Sequence, residues 1–285
     1  MDKGHLTINL KGKLMDFGIP KIMGILNVTS DSFYEGSRCK TKEDIRRRIL
    51  KIIDEGTDII DVGACSTRPG SNPVSEKGEL ERLSEALDII REIDSEIPVS
   101  VDTYRAEVAK ICVNDFGANI INDISGGEID EDMWETVAKL QVPYVLTHLR
   151  GTPGNMQTLT QYDDVTAEVI SDLSKKIFSL RRLGINDIIL DPGFGFAKTI
   201  LQNFQLLDEL GNFCEMGLPV MVGLSRKSMI YKTLDCDPEN ALEGTIALQA
   251  IALDRGADIL RVHDVRPAAS IVKLNMELKQ SREEF

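Results

Sequence analysis

The 285-residue sequence contains no uninterrupted apolar segment long enough to cross a bilayer. Its first residues, Met1 to Leu6, hold no apolar stretch of signal-peptide length. Its five cysteines, at 39, 65, 112, 214 and 236, are odd in number and never spaced as CxxC. That predicts reduced thiols in a cytoplasmic protein and argues against a structural zinc site. Cationic excess is also missing: 33 Lys and Arg stand against 46 Asp and Glu, for a net charge of −13. A general nucleic-acid or anionic-membrane surface is therefore not expected, although a few local cations could still hold an anionic small molecule. Low-complexity and linker segments are lacking too, so one domain over residues 1–285 is expected, with 280–285 frayed at its end.

What the sequence does contain is alternation. Short runs rich in Ile and Val fall at 21–27, 58–62, 97–102, 118–123, 143–147, 187–191, 219–223 and 259–262. Amphipathic helix candidates lie between and after them, at 42–55, 76–94, 104–115, 130–140, 162–183, 199–212, 238–256 and 266–280. Several helix candidates stop at Gly followed by an Asp- or Asn-led strand, as in Glu55-Gly56-Thr57-Asp58 and Arg255-Gly256-Ala257-Asp258. Eight strand–helix units in a chain of this length predict an α/β fold, a single (β/α)8 TIM barrel. Residues 5–17 precede the first unit and read as a short β-hairpin that plugs the barrel floor.

The unusual polar groups follow the strands. Asp102, Asn122 and Asp191 end three of them, while Lys227, Arg261 and His263 lie after or on the last two. In a barrel these ends share one rim, where active sites are built. The carboxylates and the amide suit a heterocycle with several N–H groups, such as a 2-amino-4-oxo-pyrimidine edge. The cationic residues suit a phosphate or pyrophosphate. Blander readings stand beside these. A strand-end Asp is often a helix cap, and clustered carboxylates also bind divalent metals. His148 reads as a satisfied core histidine, and Ser66 to Gly70 as an ordinary turn. Phe194 and Phe196 fit either core or pocket wall.

Eight segments in order carry a resemblance: GILNVTSDSF (24–33), STRPG (66–70), SVDTY (100–104), INDISGG (121–127), GTPGNMQ (151–157), DPGFGFAK (191–198), GLSRKS (223–228) and RVHDV (261–265). The chain resembles the dihydropteroate synthases, over about residues 20–270. The resemblance implies condensation of 6-hydroxymethyl-7,8-dihydropterin diphosphate with 4-aminobenzoate, releasing pyrophosphate and requiring Mg²⁺. It implies that Asp102, Asn122, Asp191 and Lys227 hold the pterin, that Asn27 helps bind Mg²⁺ and diphosphate, and that Arg261 and His263 grip the diphosphate. Thr67, Arg68 and Pro69 would belong to a mobile loop that, with Phe196 and Ser228, shapes the aminobenzoate pocket. It further implies a homodimer and a sulfonamide target. A neutral aniline nitrogen needs no general base, and loss of pyrophosphate from an electron-rich pterin methylene is the hard step, so an SN1-like substitution is expected.

The sequence departs from the family at Ser30 (usually Pro), at Ala64-Cys65 (commonly Gly-Glu) and at Thr147 (often Met). These departures raise the expectation of altered sulfonamide sensitivity. Two rival readings remain at this stage: a pterin-binding methyltransferase domain, for which a diphosphate grip has no use, and a catalytically silent pterin-binding barrel.

Overall fold

The computed structural model describes residues 6–29, 41–65 and 74–283. An antiparallel hairpin, β1 (Thr7–Leu10) and β2 (Lys13–Asp16), comes first. The barrel strands follow: β3 (Lys21–Asn27), β4 (Ile59–Gly63), β5 (Val99–Asp102), β6 (Ile120–Asp123), β7 (Tyr144–Thr147), β8 (Ile188–Asp191), β9 (Met221–Val222) and β10 (Ile259–Val262). The helices are α1 (Lys42–Asp54), α2 (Glu76–Ile93), α3 (Ala106–Asn114), α4 (Met133–Leu140), α5 (Val165–Arg182), α6 (Ile200–Asp208), α7 (Gly211–Cys214), α8 (Ser228–Tyr231), α9 (Leu242–Asp254) and α10 (Val265–Glu283).

The eight barrel strands pair in parallel, in the order β8-β7-β6-β5-β4-β3-β10-β9. A parallel bridge between Leu190 and Val220 brings the two ends of the sheet together. The expected TIM barrel is therefore present, closed most tenuously between β8 and β9. The helix candidate at 199–212 divides into α6 and α7, and the short α8 was not foreseen. Helix α10 continues past Gln280 to Glu283.

Local chemistry explains the helix starts. The Thr41 hydroxyl accepts from the Asp44 N–H and caps α1, and Thr199 and Gln202 form a capping box at α6. Gly56 and Gly256, where helices were expected to stop, have φ of +92° and +99°.

Strand alternation divides the side chains into two cores. Outward residues such as Ile60, Val62, Val101, Ile121, Leu146 and Leu190 pack under the helices. Inward residues Met23, Ile59, Ile120, Val145, Ile189, Met221 and Ile259 form a second cluster with Ile8, Leu10 and Phe17 of the hairpin region. The hairpin thus closes the barrel floor with apolar groups, as expected, each buried side chain contributing about 1.5–3 kcal/mol. Above this floor the interior turns polar.

Candidate active site

Side chains two residues apart on a strand share a face. Moving two residues up from the floor therefore gives inward positions 61, 122, 147, 191 and 261. In-register pairing adds Ser100 opposite Asp61, and Asp102 opposite both Gly63 and Asn122. The barrel interior changes from wholly apolar to almost wholly polar within one layer.

Arg261 organises one side of that layer. Its Nε donates to Asp61 Oδ2 at 2.7 Å and its Nη2 to Asp102 Oδ2 at 2.7 Å. Asn122 Nδ2 donates to Asp61 Oδ2 at 3.2 Å. Burial opposes the charge on Arg261, but the Asp61 and Asp102 carboxylates outweigh it and hold the guanidinium firmly protonated. Asp102 is pushed up to about 7, chiefly by burial and with help from the neighbouring Asp61 charge, against the pull of Arg261. Nη1 of Arg261 has no acceptor among the described residues.

Asp61 is fully buried, and sequence reasoning missed it. The available signal was a carboxylate two residues beyond Ile59 within the otherwise apolar run Ile59-Ile60-Asp61-Val62. By contrast, Asp123 beside Asn122 points outward and is consumed structurally. It accepts from Ser125 N and Oγ, Gly127 N and the Tyr144 hydroxyl.

The other side of the layer is the loop after β8. Asp191 Oδ1 accepts the Gly193 N–H at 2.8 Å, and burial raises the acid's pKa while the nearby Lys227 lowers it. The loop turns through positive φ at Gly193, Gly195 and Ala197. A Cβ on Gly193 would sit 2.0 Å from the His148 carbonyl oxygen, so only glycine fits there. Phe194 is fully buried and belongs to the outer core. Phe196 is partly exposed and packs beside Leu149, Met156 and Ala197.

Lys227 comes from the loop after β9. Its ammonium donates to the Phe194 carbonyl and lies 4.8 Å from the Phe196 ring centroid. Burial brings it down to about 8, against the pull of Asp191. Ser228 is the first residue of α8. Neighbouring Arg226 is structural: buried at a φ of +54°, it clamps Asp264 and the carbonyls of Pro238 and Glu239.

Behind the β8 loop sits a pair that sequence reasoning did not assign. Lys198 Nζ lies 3.0 Å from His148 Nδ1 and donates to the Gly193 and Phe196 carbonyls, each at 3.0 Å. Burial lowers Lys198 to about 7. Burial, then the Lys198 charge, takes His148 down to about 2. His148 is thus the neutral core histidine expected. His263, foreseen as cationic, is lowered to about 3 by burial and then by Arg261. It is neutral near pH 7, with Nδ1 at 3.1 Å from Ser225 Oγ.

Asn27 ends β3 at the same mouth. Its Oδ1 and Asp102 Oδ2 each lie 3.6 Å from the point a Cβ on Gly63 would occupy. The missing side chain leaves a small cradle flanked by two hard oxygen donors. Thr67, Arg68 and Pro69 lie outside the described residues, as do residues 30–33 of the 24–33 segment. Arg105 ties the segments flanking 66–73 together: it pairs with buried Glu79, donates to the Val74 carbonyl at 2.7 Å and lies 3.7 Å from Cys65 Sγ.

A separate cleft of about 340 Å³ opens beside α5, lined by Glu128, His148, Arg150, Glu168, Asp172 and Lys175 among others. Charges there are matched internally, Arg150 with Glu168 at 2.6 Å and Lys176 with both Glu128 and Asp172. Its groups do not converge on the barrel axis, so the rim is the stronger candidate.

Comparison with known proteins agrees with this geometry. Residues 23–263 match the family described as pterin binding enzyme. The dihydropteroate synthase of Synechocystis is 42% identical over 256 residues, covering 89% of this chain and 88% of that protein. The Yersinia pestis dihydropteroate synthase, solved as a sulfonamide drug complex, superposes with a TM-score of 0.92 at 34% identity, covering 96% and 100% of the two chains. The Xanthomonas albilineans enzyme, solved with 4-aminobenzoic acid, gives 0.88 at 36% identity, covering 97% and 99%.

Proposed function

This chain belongs to the pterin-binding enzymes and, within them, to the dihydropteroate synthases, and from that premise we propose how its residues divide the work. It is a transferase of folate biosynthesis, joining 4-aminobenzoate to a dihydropterin diphosphate. One observation carries the assignment of roles: five strands place Asp61, Asp102, Asn122, Asp191 and Arg261 inside the mouth, above an apolar floor.

Asp191 and Asn122 hold the amino and ring N–H groups of the pterin, with Asp102 and Lys227 beside them. A carboxylate can take two parallel hydrogen bonds from that edge. Arg261 offers Nη1 to the diphosphate while its other nitrogens stay on Asp61 and Asp102. His263 assists as a neutral N–H donor, since its burial keeps it uncharged near pH 7. Phe196 and Ser228, with Thr67, Arg68 and Pro69, shape the aminobenzoate pocket.

The residues at the mouth also fit Mg²⁺. Asn27 and Asp102 supply oxygen atoms at the Gly63 cradle, and Mg²⁺ commonly takes one or two protein oxygens plus water and phosphate. Among the described residues no cluster of three or more His, Cys, Asp or Glu is built to hold a metal by itself. That suits a cation arriving with the diphosphate. Mg²⁺, when bound, would neutralise charge on the leaving diphosphate.

The substitution is SN1-like. The C–O bond between the pterin methylene and the diphosphate breaks, and its electron pair leaves on the diphosphate. The Asp191 and Asp102 carboxylates stabilise the positive charge left in the ring system. The aniline nitrogen of 4-aminobenzoate then forms the C–N bond, and the proton it loses passes to solvent. Two carboxylates beside the ring suit this order of events.

The chain acts as a single barrel domain in the cytoplasm; no helix among the described residues is long and apolar enough to cross a membrane. It forms a homodimer. Exposed Ile251 on α9, with Leu274 and Leu278 one turn apart on α10, supports a partner-covered face. Sedimentation would read the mass directly, and a monomer at micromolar concentration would contradict the dimer.

Calorimetric titration tests the site reading. Binding of the pterin diphosphate should strengthen with Mg²⁺, and Asp191→Asn should abolish it without unfolding the chain. Tight binding of methyltetrahydrofolate with indifference to the diphosphate would favour a methyltransferase-type domain instead.

A further inference from the structure

Two hydroxyls inside the barrel have no partner among the described residues. Ser100 Oγ and Thr147 Oγ1 are both buried, their residues 0% and 1% exposed, and neither makes a hydrogen bond. An unsatisfied buried hydroxyl costs about 1–3 kcal/mol, so such groups are uncommon without a purpose. The rest of the layer is engaged: Asp61 with Arg261 and Asn122, and Asp191 with the Gly193 N–H.

Strand register separates the two. Ser100 lies two residues below Asp102 on β5, between Asp61 of β4 and the floor residue Ile120 of β6. Thr147 pairs with Asp191 across β7 and β8, and it lies two residues above the floor residue Val145. Its side chain therefore enters the interior at the level of the Asp191 carboxylate, whereas Ser100 lies deeper. Thr is also stiff at χ1, so its hydroxyl is held in place without further bonds. Beside the Asp191 carboxylate it adds a hydroxyl able both to donate and to accept, and unlike the Asn122 amide it has no partner among the described residues.

We propose that the Thr147 hydroxyl hydrogen-bonds a heteroatom of the bicyclic ring held by Asp191, making Thr147 a specificity-determining residue of this chain. The inference rests on the pterin reading of the site. Bound heterocycle satisfies the orphaned hydroxyl, so the cost carried by the empty protein is recovered on binding. A ring lacking the matching heteroatom leaves the hydroxyl unpaired and is discriminated against.

The test is calorimetric titration of the full chain with 6-hydroxymethylpterin, beside thermal unfolding of the ligand-free protein. Thr147→Val keeps the shape and removes the hydroxyl. It should weaken pterin binding about fivefold or more, the loss of one net hydrogen bond. The same variant should unfold no earlier than the parent, because the unpaired hydroxyl is gone. Thr147→Ser should hold affinity within about threefold, and Ser100→Ala within about twofold, as neither removes the contact. A merely structural Thr147 would move stability and leave affinity alone.

Binding by Thr147→Val equal to that of the parent would overturn the inference while leaving the pterin site standing. Equal losses in Thr147→Val and Thr147→Ser would also overturn it, by pointing to packing. Failure of the parent itself to bind the pterin would remove both readings.

Discussion

Arg261 is the residue on which the pocket's electrostatics turn. Among the described residues it is the one cation bonded to both Asp61 and Asp102. Removing one partner from such a buried cluster leaves uncompensated charge. Arg261→Met should therefore destabilise the protein by about 3 kcal/mol, measured by urea unfolding. The effect should be larger at pH 8 than at pH 5. Asp102 has a folded pKa of about 7, above its ordinary 3.8. The native state thus binds the extra proton between those values, and this group's contribution falls as pH rises through them. Without Arg261, the low-pH form with a protonated Asp102 is the better tolerated. Equal destabilisation at both pH values would contradict this.

His148 works in the opposite sense. Its folded pKa of about 2 lies below the ordinary 6.5. The unfolded chain therefore takes the proton first, and stability falls as pH drops below 6.5. Between pH 7.5 and 5.5 this one histidine should account for about 1 kcal/mol of lost stability. His148→Gln should remove about half of the histidine-dependent loss, because His263, also lowered by burial to about 3, contributes in the same sense. An unchanged slope would show that another group sets it.

At the scale of elements, the β8 loop makes Asp191 usable. Lys198 ties the Gly193 and Phe196 carbonyls to His148, and the Gly193 N–H fixes the carboxylate. Gly193→Ala would place a methyl against the His148 carbonyl at 2.0 Å, in a backbone region with φ of +74°. It should cost about 2 kcal/mol or more of stability and lower pterin affinity together. Thermal unfolding and titration of the same sample read both effects. Loss of neither would mean that the loop re-forms without its present turn.

Much of this was legible beforehand. The 2-residue and 3.6-residue periodicities give the barrel, and the strand-end positions give Asp102, Asn122 and Asp191. Asp61 and Lys198 escaped because their meaning depends on strands far away in sequence: Arg261 meets Asp61 across 200 positions. Direction also escaped. Asn122 and Asp123 are adjacent, yet one turns inward to Asp61 and the other outward to the Tyr144 hydroxyl. The charge of His263 was likewise invisible, since burial is a tertiary property.

For the molecule as a whole, the hairpin plug, the apolar floor and the polar mouth form one gradient along the barrel axis. The floor keeps water from below, the mouth carries the charges, and the heterocycle is accepted between them. The Yersinia enzyme superposes on this barrel with a TM-score of 0.92, and the Synechocystis relative is 42% identical over 89% of the chain. Of the departures at Ser30, Cys65 and Thr147, Thr147 sits inside the barrel beside Asp191 and Cys65 lies near Arg105, while Ser30 falls outside the described residues.

The most direct measurement is a turnover assay on the purified full chain with 6-hydroxymethyl-7,8-dihydropterin diphosphate, 4-aminobenzoate and Mg²⁺, following pyrophosphate and dihydropteroate together. The account predicts that both appear in equal amounts and that Asp191→Asn yields neither. A folded, pterin-binding protein that releases no pyrophosphate under these conditions would contradict it.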